Sequence, residues 1–320
     1  MKNFKLAYNE VSWSLPFFLT QSFLYLPILK ELLSADDFKK AVKYIYGTPF
    51  CLWSGGRPLP FEIKNIKNIE KIITNLLDFN VIPSFTFTNT LLTNDDLKDI
   101  YCNSLLEIIA NSGCHIILSS ENLYNYIKEK YPNIKLTASV INFFQRKYTS
   151  IEDETIHINE LIKKFDKVVI RSEYFINSKD EIKHVLDISK LVILANSTCA
   201  MDCAYAKRHY NLISMFSKGE ITFNQGFDEF TQNCPKVLHP SIGKNKLTDY
   251  DLKRAIKLGI RNFKLQGRQV EFDNMFEILC NNFFDKRVNK KELRRIVDKY
   301  CYDRIQNSLD LQLYSVMKQV

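Results

Sequence analysis

Three cysteines, two of them close together in the sequence, are the residues best suited to chemistry. Cys199 and Cys203 are four positions apart in NSTCAMDCAYAKRHY, directly after a predicted β-strand. This spacing places two thiols on one face of a helix, and on a loop it also lets them converge. Cys234 follows in a second connection from the same region, in the tripeptide Asn-Cys-Pro. The pattern predicts one site shared by three thiols.

A fourth ligand could come from either of two places. Cys51 lies just past another predicted strand, in YGTPFC, and His209 lies six residues beyond Cys203. His209 could instead donate a hydrogen bond to a cluster or substrate, or lie on a helix surface. Three or four thiolates with one close pair are typical of a 4Fe–4S cluster, whereas structural zinc sites usually show tighter CxxC pairs. Without metal, these cysteines would be small buried hydrophobic residues.

Several common catalytic motifs are absent from the sequence. The radical-SAM pattern CxxxCxxC is incomplete, because Ala204, Tyr205 and Ala206 follow Cys203. The sequence has no P-loop and no GxGxxG stretch. The other four cysteines fall in helical or strand-core patterns and are interpreted as packing residues: Cys102, Cys114, Cys280 and Cys301.

Composition and charge describe a globular chain with a mild preference for anions. Apolar residues make up 46% and charged residues 25% of the 320 positions, and the net charge is +8. This charge favours nucleic acid, a phosphorylated substrate or a carboxylate as partner. The N-terminus shows no secretory signal, and the apolar stretch 13–33 is interrupted by polar residues, so we expect no membrane span. Eight cysteines without a signal predict a reducing, cytoplasmic location.

Short β-rich runs alternate with longer helical patterns along the chain. The eight runs are 5–9, 44–47, 82–88, 115–119, 135–141, 167–172, 191–196 and 262–266. Strands that alternate with helices of this length indicate βαβ units and a parallel sheet. Eight units predict an α/β fold of the closed (β/α)8 TIM-type barrel class. We expect the barrel to occupy residues 1–270 and a C-terminal helical extension, 271–320, to pack on it.

Polar residues follow most of the predicted strands, where barrel enzymes carry their sites. Four cations are predicted around the mouth, because guanidinium and ammonium groups bind carboxylates and phosphates: Arg57, Arg171, Lys264 and Arg268. Four further residues are candidates for orienting a substrate: Asn89, Asn142, Glu173 and Asn196. Such residues can also start turns, cap helices or form surface ion pairs.

Three stretches together resemble a known family. They are YIYGTPFC with the following SGGR, the segment around Cys199 and Cys203, and the stretch from Cys234 to LKRAIKLGIRNFKLQGR. The last is similar to the family pattern aGi…FKIEGR, with Gln266 in place of the family's glutamate. The family is the collagenase-like peptidase family U32. It includes paired proteins of oxygen-independent ubiquinone hydroxylation and RNA-hydroxylating enzymes of bacteria.

The resemblance implies a barrel with a 4Fe–4S cluster on four cysteines, matching Cys51, Cys199, Cys203 and Cys234, with Cys51 preferred over His209 as the fourth ligand. It further implies hydroxylation without O2, for which prephenate supplies the oxygen in several members. We therefore expect a cluster-dependent redox enzyme that acts on a small anion, such as a prephenate-like molecule, or on RNA. Two alternatives are a peptidase, and a non-catalytic partner that forms a hetero-oligomer with a related barrel.

Overall fold

The computed structural model describes residues 4–16, 19, 22–55, 65–197, 199, 203–238, 246–267, 282–285 and 287–307. Eight parallel strands pair in sequence order, and the eighth pairs with the first, so that they close a barrel. The strands are β1 (Ser12–Pro16), β2 (Val42–Gly47), β3 (Ile82–Phe87), β4 (His115–Leu118), β5 (Leu136–Ala138), β6 (Lys167–Ile170), β7 (Leu191–Leu194) and β8 (Asn262–Lys264). The predicted (β/α)8 TIM-type barrel is confirmed.

The first strand is not where the sequence predicts it. Residues 5–9 form no strand, and Leu6 makes only an isolated antiparallel bridge with Phe284. The barrel begins instead at Ser12–Pro16, where buried Trp13 and Leu15 alternate with serines. In this barrel the serine face of β1 points inward. The alternation of polar and apolar residues, which is typical of a strand at a protein surface, therefore occurs here in a strand of a closed barrel.

The described part of the chain also contains α-helices. In chain order they are α1 (Ser22–Leu32), α2 (Ala35–Ala41), α3 (Ile66–Asp78), α4 (Ile100–Ser112), α5 (Glu121–Lys130), α6 (Ile141–Gln145), α7 (Ile151–Lys164), α8 (Ser172–Asn177), α9 (Ala206–Ser217), α10 (Phe223–Asn233), α11 (Pro235–Leu238), α12 (Asp249–Lys257) and α13 (Lys290–Asn307). Their sequences supply local start signals. Thr222 and Gln225 form a capping box at the start of α10, and Thr248 and Asp251 form one at α12.

The barrel interior is polar at its amino-terminal end. The Ser12 hydroxyl donates to the Asn262 side chain (3.1 Å), and the Lys167 ammonium donates to the same amide oxygen (2.7 Å). The rings of Tyr44 and His115 lie 5.3 Å apart in the same layer. One strand step further, Ser14 and Leu194 flank Lys264 in the pairing register. Buried apolar side chains come from both strands and helices, such as Val192 of β7 and Ile158 of α7.

The chain divides into two compact units. One holds Val11–Leu19 and Val42–Gln266, and so contains all eight strands. The other combines Met1–Glu10 and Thr20–Ala41 with Gly267–Val320. Within this second unit, the rings of Phe4 and Phe284 contact each other and α1 contacts α13. The predicted boundary near residue 270 stays a prediction.

Among the described helices, none combines the length and apolar character needed to cross a bilayer.

Candidate functional site

Helix α9 lies across the carboxyl ends of the strands. Its residue Tyr210 stacks on Phe144 of α6, which follows β5, with ring centroids 5.3 Å apart. The Thr90 hydroxyl, just after β3, donates to the Asn211 side chain of the helix (2.9 Å). Farther along, Phe216 packs against Phe50, which follows β2. A helix that enters from β7 and reaches the loops after β5, β3 and β2 must cross the barrel mouth.

Helices α9 and α10 form a hairpin that brings distant cysteines together. The Arg208 guanidinium binds both carboxylate oxygens of Glu229 at 2.7 Å, and His209 packs 4.6 Å from the ring of Phe230. These contacts join the start of α9 to the end of α10. Cys203 precedes α9 and Cys234 caps α10, so both cysteines lie at the same end of the hairpin.

The three predicted cluster cysteines gather at this end. Cys199 and Cys203 are half-buried and Cys234 is buried, and all three are cysteine thiols rather than halves of disulfides. Burial raises the pKa of the Cys203 thiol, and nearby Cys199 and Cys234 raise this pKa further. The backbone N–H groups of Tyr205 and Ala206 act in the opposite direction and lower it. The pKa of Cys203 stays above its usual value, so these N–H groups only partly offset burial in stabilising the thiolate, which is the form that binds metals.

The thiols are near one another without forming a closed coordination set. Within the described ranges, no three side chains of His, Cys, Asp or Glu are arranged so that they could hold a metal ion.

The structure does not bring Cys51 to this group. Cys51 is buried, and its thiol lies within hydrogen-bonding reach of the Cys102 thiol on α4. Burial, followed by that hydrogen bond, raises the pKa of Cys102 far above its usual value. Ser54, which bonds to the Cys51 carbonyl, contacts Ser217 at the last residue of α9. Since α9 has 12 residues, its two ends are about 18 Å apart.

The three predicted asparagines hold the loops at the strand ends. Asn89 is fully buried and donates to the Leu52 carbonyl (2.7 Å). Asn142 donates to the Ser139 carbonyl (2.9 Å). Asn196 binds the backbone of Gln266 in both directions, since its amide donates to the Gln266 carbonyl (3.0 Å) and its oxygen accepts from the Gln266 N–H (2.6 Å). All three asparagine side chains therefore stabilise the loops at the strand ends by hydrogen-bonding to backbone groups.

Arg171 and Glu173 belong to a buried ion-pair cluster. The Arg171 guanidinium donates twice to Glu154 (3.0 and 2.6 Å) and once to Glu173 (3.0 Å). Both glutamates are 4% exposed. The partner Glu154 comes from α7, and the sequence offers no signal for it because it reads as one of several acidic residues in the first turn of that helix.

Two predicted cations, Arg57 and Arg268, lie outside the described residues. Lys264 is described: it is the last residue of β8, is 9% exposed, and lies with its ammonium 3.5 Å from the centroid of the Tyr46 ring. Sequence reasoning missed Tyr46. The sequence did contain a signal for it: Tyr46 and Tyr44 are two residues apart in a predicted strand, so their side chains face the same side.

Comparison with known proteins supports the fold. No family profile matches this sequence, and no curated protein matches it. Among solved structures, the chain is similar to the U32 peptidase Mk0906, with 12% identity and a TM-score of 0.53 over 85% of this chain and 98% of that one. This confirms that the barrel resembles a U32 peptidase in fold, as the motifs predicted. At 12% identity the similarity extends to the fold alone.

Two other barrels are more distant. A D-psicose 3-epimerase is 9% identical with a TM-score of 0.37, over 92% of this chain and 98% of that one. The spore cortex-lytic enzyme SleL of Bacillus megaterium QM B1551 is 10% identical with a TM-score of 0.38, over 90% and 77% of the two chains. These similarities are too weak to support an argument about function.

Proposed function

We propose that this protein is an iron–sulfur redox enzyme of the U32 type, which hydroxylates or otherwise modifies a small anion or RNA without O2. One observation carries the proposal: Cys199, Cys203 and Cys234 gather at one end of the hairpin that covers the barrel mouth. The motif resemblance to family U32 and the fold similarity to a U32 peptidase support it. A reducing, cytoplasmic environment would keep these thiols available.

The donor chemistry fits a 4Fe–4S cluster with three ligands from this group. Thiolates are the usual ligands of such clusters, and the N–H groups at the start of α9 partly offset the rise that burial causes in the pKa of Cys203. In the described residues the thiols do not form a closed coordination set, so ligation requires this end of the hairpin to rearrange. When bound, a cluster would supply electron transfer or, with an open iron, Lewis acidity. Cys51 is not assigned to the set, because it lies at the other end of α9.

The chain's own residues position the substrate side of the site. Asn196 holds the backbone after β8 beside the loop after β7, and Asn89 and Asn142 fix their own loops. Lys264 supplies an amine inside the barrel, and the net charge of +8 favours an anionic partner. We also propose a hetero-oligomer with a related barrel, since the family that the motifs resemble includes paired proteins.

Iron and sulfide analysis of anaerobically purified protein tests the cluster. We expect iron, sulfide and broad visible absorption in the unmodified chain. Cys199→Ser, Cys203→Ser and Cys234→Ser should each lose most of the iron. Cys114→Ser is the matched control, because Cys114 is buried beside β4 and hydrogen-bonds to Ser112, and it should keep its iron. Cys51→Ser should also keep it, and a loss would make Cys51 a ligand.

Protein without iron or sulfide after anaerobic purification and reconstitution would refute the redox proposal. Casein or gelatin cleavage by such metal-free protein would then favour the peptidase function. Stable co-purification with a second barrel and no turnover alone would instead favour a partner role. A steep salt dependence of RNA binding would identify RNA as the anionic partner.

A further inference from the structure

Lys264 lies inside the barrel at the carboxyl end of β8. The pairing register places it between Ser14 of β1 and Leu194 of β7, on the inward face. Its ammonium lies 3.5 Å from the centroid of the Tyr46 ring. The Tyr46 hydroxyl donates to the Leu265 carbonyl (2.6 Å), which fixes the ring beneath the amine. The side chain is thus held in one place by the barrel wall.

The Lys264 amine has no charge partner in the described part of the chain. No carboxylate and no hydrogen-bond acceptor is bound to its Nζ there, and the residue is only 9% exposed. Burying an ammonium group without a carboxylate partner costs free energy, so burial favours the neutral amine. Burial lowers the pKa of Lys264 to about 7. The face of the Tyr46 ring favours the charged form and moderates this loss.

A second lysine inside the barrel shows what is unusual about Lys264. Lys167 lies in the amino-terminal layer, donates to the Asn262 side chain (2.7 Å) and lies over the Tyr44 ring (4.6 Å). Burial and then nearby Lys43 lower the pKa of Lys167 to about 8. Lys167 therefore has a polar structural partner at the closed end of the barrel. Lys264 lies at the end where barrel enzymes bind substrates.

We propose that Lys264 is the nucleophilic amine of a site for a small carbonyl compound, with which it condenses to form a Schiff base. The Nζ lone pair attacks the carbonyl carbon, the C=O π bond breaks, and a C=N bond then forms as the carbonyl oxygen leaves in water. Two protons move from nitrogen to that oxygen, and no oxidant or reductant takes part. Lysines whose pKa is lowered by desolvation perform this chemistry with carbonyl substrates in enzymes. The inference does not depend on the metal site.

Reductive trapping tests this proposal on the full chain. Glyoxylate and cyanoborohydride are added at pH 7, and adducts are located by peptide mapping. We expect Lys264 to be modified about 100-fold faster than surface lysines, because a larger fraction of it is neutral. Lys264→Arg keeps the charge but removes the nucleophile, and should abolish the fast phase. Lys167→Met is the matched interior control and should leave that phase intact.

The pH profile distinguishes a buried amine from an ordinary one. Trapping at Lys264 should reach half its maximal rate near pH 7, whereas surface lysines should still be accelerating above about pH 9. Formaldehyde, a smaller probe, is run in parallel so that the size of the mouth does not decide the result. If Lys264 reacts no faster than surface lysines with both probes, or if Lys264→Arg retains the fast phase, the proposal is wrong. Unfolded protein should show no difference between sites.

Discussion

The cysteines near the two ends of helix α9 differ in burial and in their neighbours. At its start, Cys203 is half-buried, has Cys199 and Cys234 nearby, and lies under two backbone N–H groups. Beside its other end, Cys51 and Cys102 are buried and hydrogen-bond to each other. Both surroundings raise the pKa of the thiol, but burial and the Cys51 thiol raise that of Cys102 far more than burial and the neighbouring cysteines raise that of Cys203, so Cys203 keeps the larger thiolate fraction. The expected reactivity of each cysteine therefore depends on which end of α9 it lies near.

This difference separates a chemical role from a packing role. A thiolate binds iron or attacks an electrophile, whereas a neutral buried thiol acts as a small hydrophobic residue. Cys203 precedes α9, whereas Cys51 and Cys102 come from the loop after β2 and from α4, near the other end of α9. Variants at one end of α9, measured together with the thiols at the other end, test whether the two surroundings differ in this way.

The largest effect is expected at Gly55, in the loop that carries Cys51. A Cβ at this position would collide with the Thr88 carbonyl, which is backbone and cannot rotate away. Gly55→Ala should therefore destabilise the protein by about 3 kcal/mol, as in overpacked sites. Urea unfolding measures this, and Gly226→Ala on α10 is the control, because its Cβ would meet only a flexible Ile221 methyl at 3.3 Å. Equal stability of the two variants would contradict the close approach.

Alkylation rates compare the thiols directly. In metal-free native protein at pH 8, iodoacetamide should modify Cys203 about 100-fold faster than Cys102, since only the thiolate reacts and Cys102 is held neutral. Peptide mapping over time gives the two rates. The gap should close in denaturant, where both thiols become ordinary. Similar native rates would show that the two surroundings do not differ as the structure indicates.

Replacing each cysteine by alanine measures how much its side chain contributes to the free energy of unfolding. Cys102→Ala should cost about 1–2 kcal/mol of unfolding free energy, because it leaves a small cavity beside Cys51. Cys203→Ala should cost less than about 0.5 kcal/mol in metal-free protein, because this thiol is half-exposed. Chemical denaturation of both variants in chelator gives the values. A larger loss at Cys203 would mean that it serves the core.

The smallest effect is expected at the ion pair that joins α9 to α10. Arg208 and Glu229 are half-exposed, so Arg208→Ala should cost less than about 1 kcal/mol. Because the pair holds the hairpin end together, we expect faster alkylation of Cys234 with little change at Cys102. Lys253→Ala, which removes an exposed pair within α12, is the control. An unchanged alkylation rate of Cys234 would indicate that the aromatic contacts, and not this ion pair, hold the end of the hairpin together.

The alternation of strands and helices was predictable, and seven of the eight strands lie where the sequence indicates. Buried apolar runs such as Leu191–Leu194 produce a strong local signal. The first strand was missed because Ser12 and Ser14 face the barrel interior, which no local pattern reveals. In the site, Cys199, Cys203 and Cys234 were predicted together from spacing and order along the chain.

By itself, the sequence determined the fold class and the set of thiols that could share a site. Only the tertiary structure decided that Cys51 pairs with Cys102, that Arg171 binds Glu154, and that Lys264 lies over Tyr46. Local patterns reflect the preferences of neighbouring residues, whereas these partners are brought together by barrel closure and by the path of α9 across the mouth. The reactivity of a thiol or an amine depends on that burial and on those partners, which are set by contacts between residues far apart in the chain.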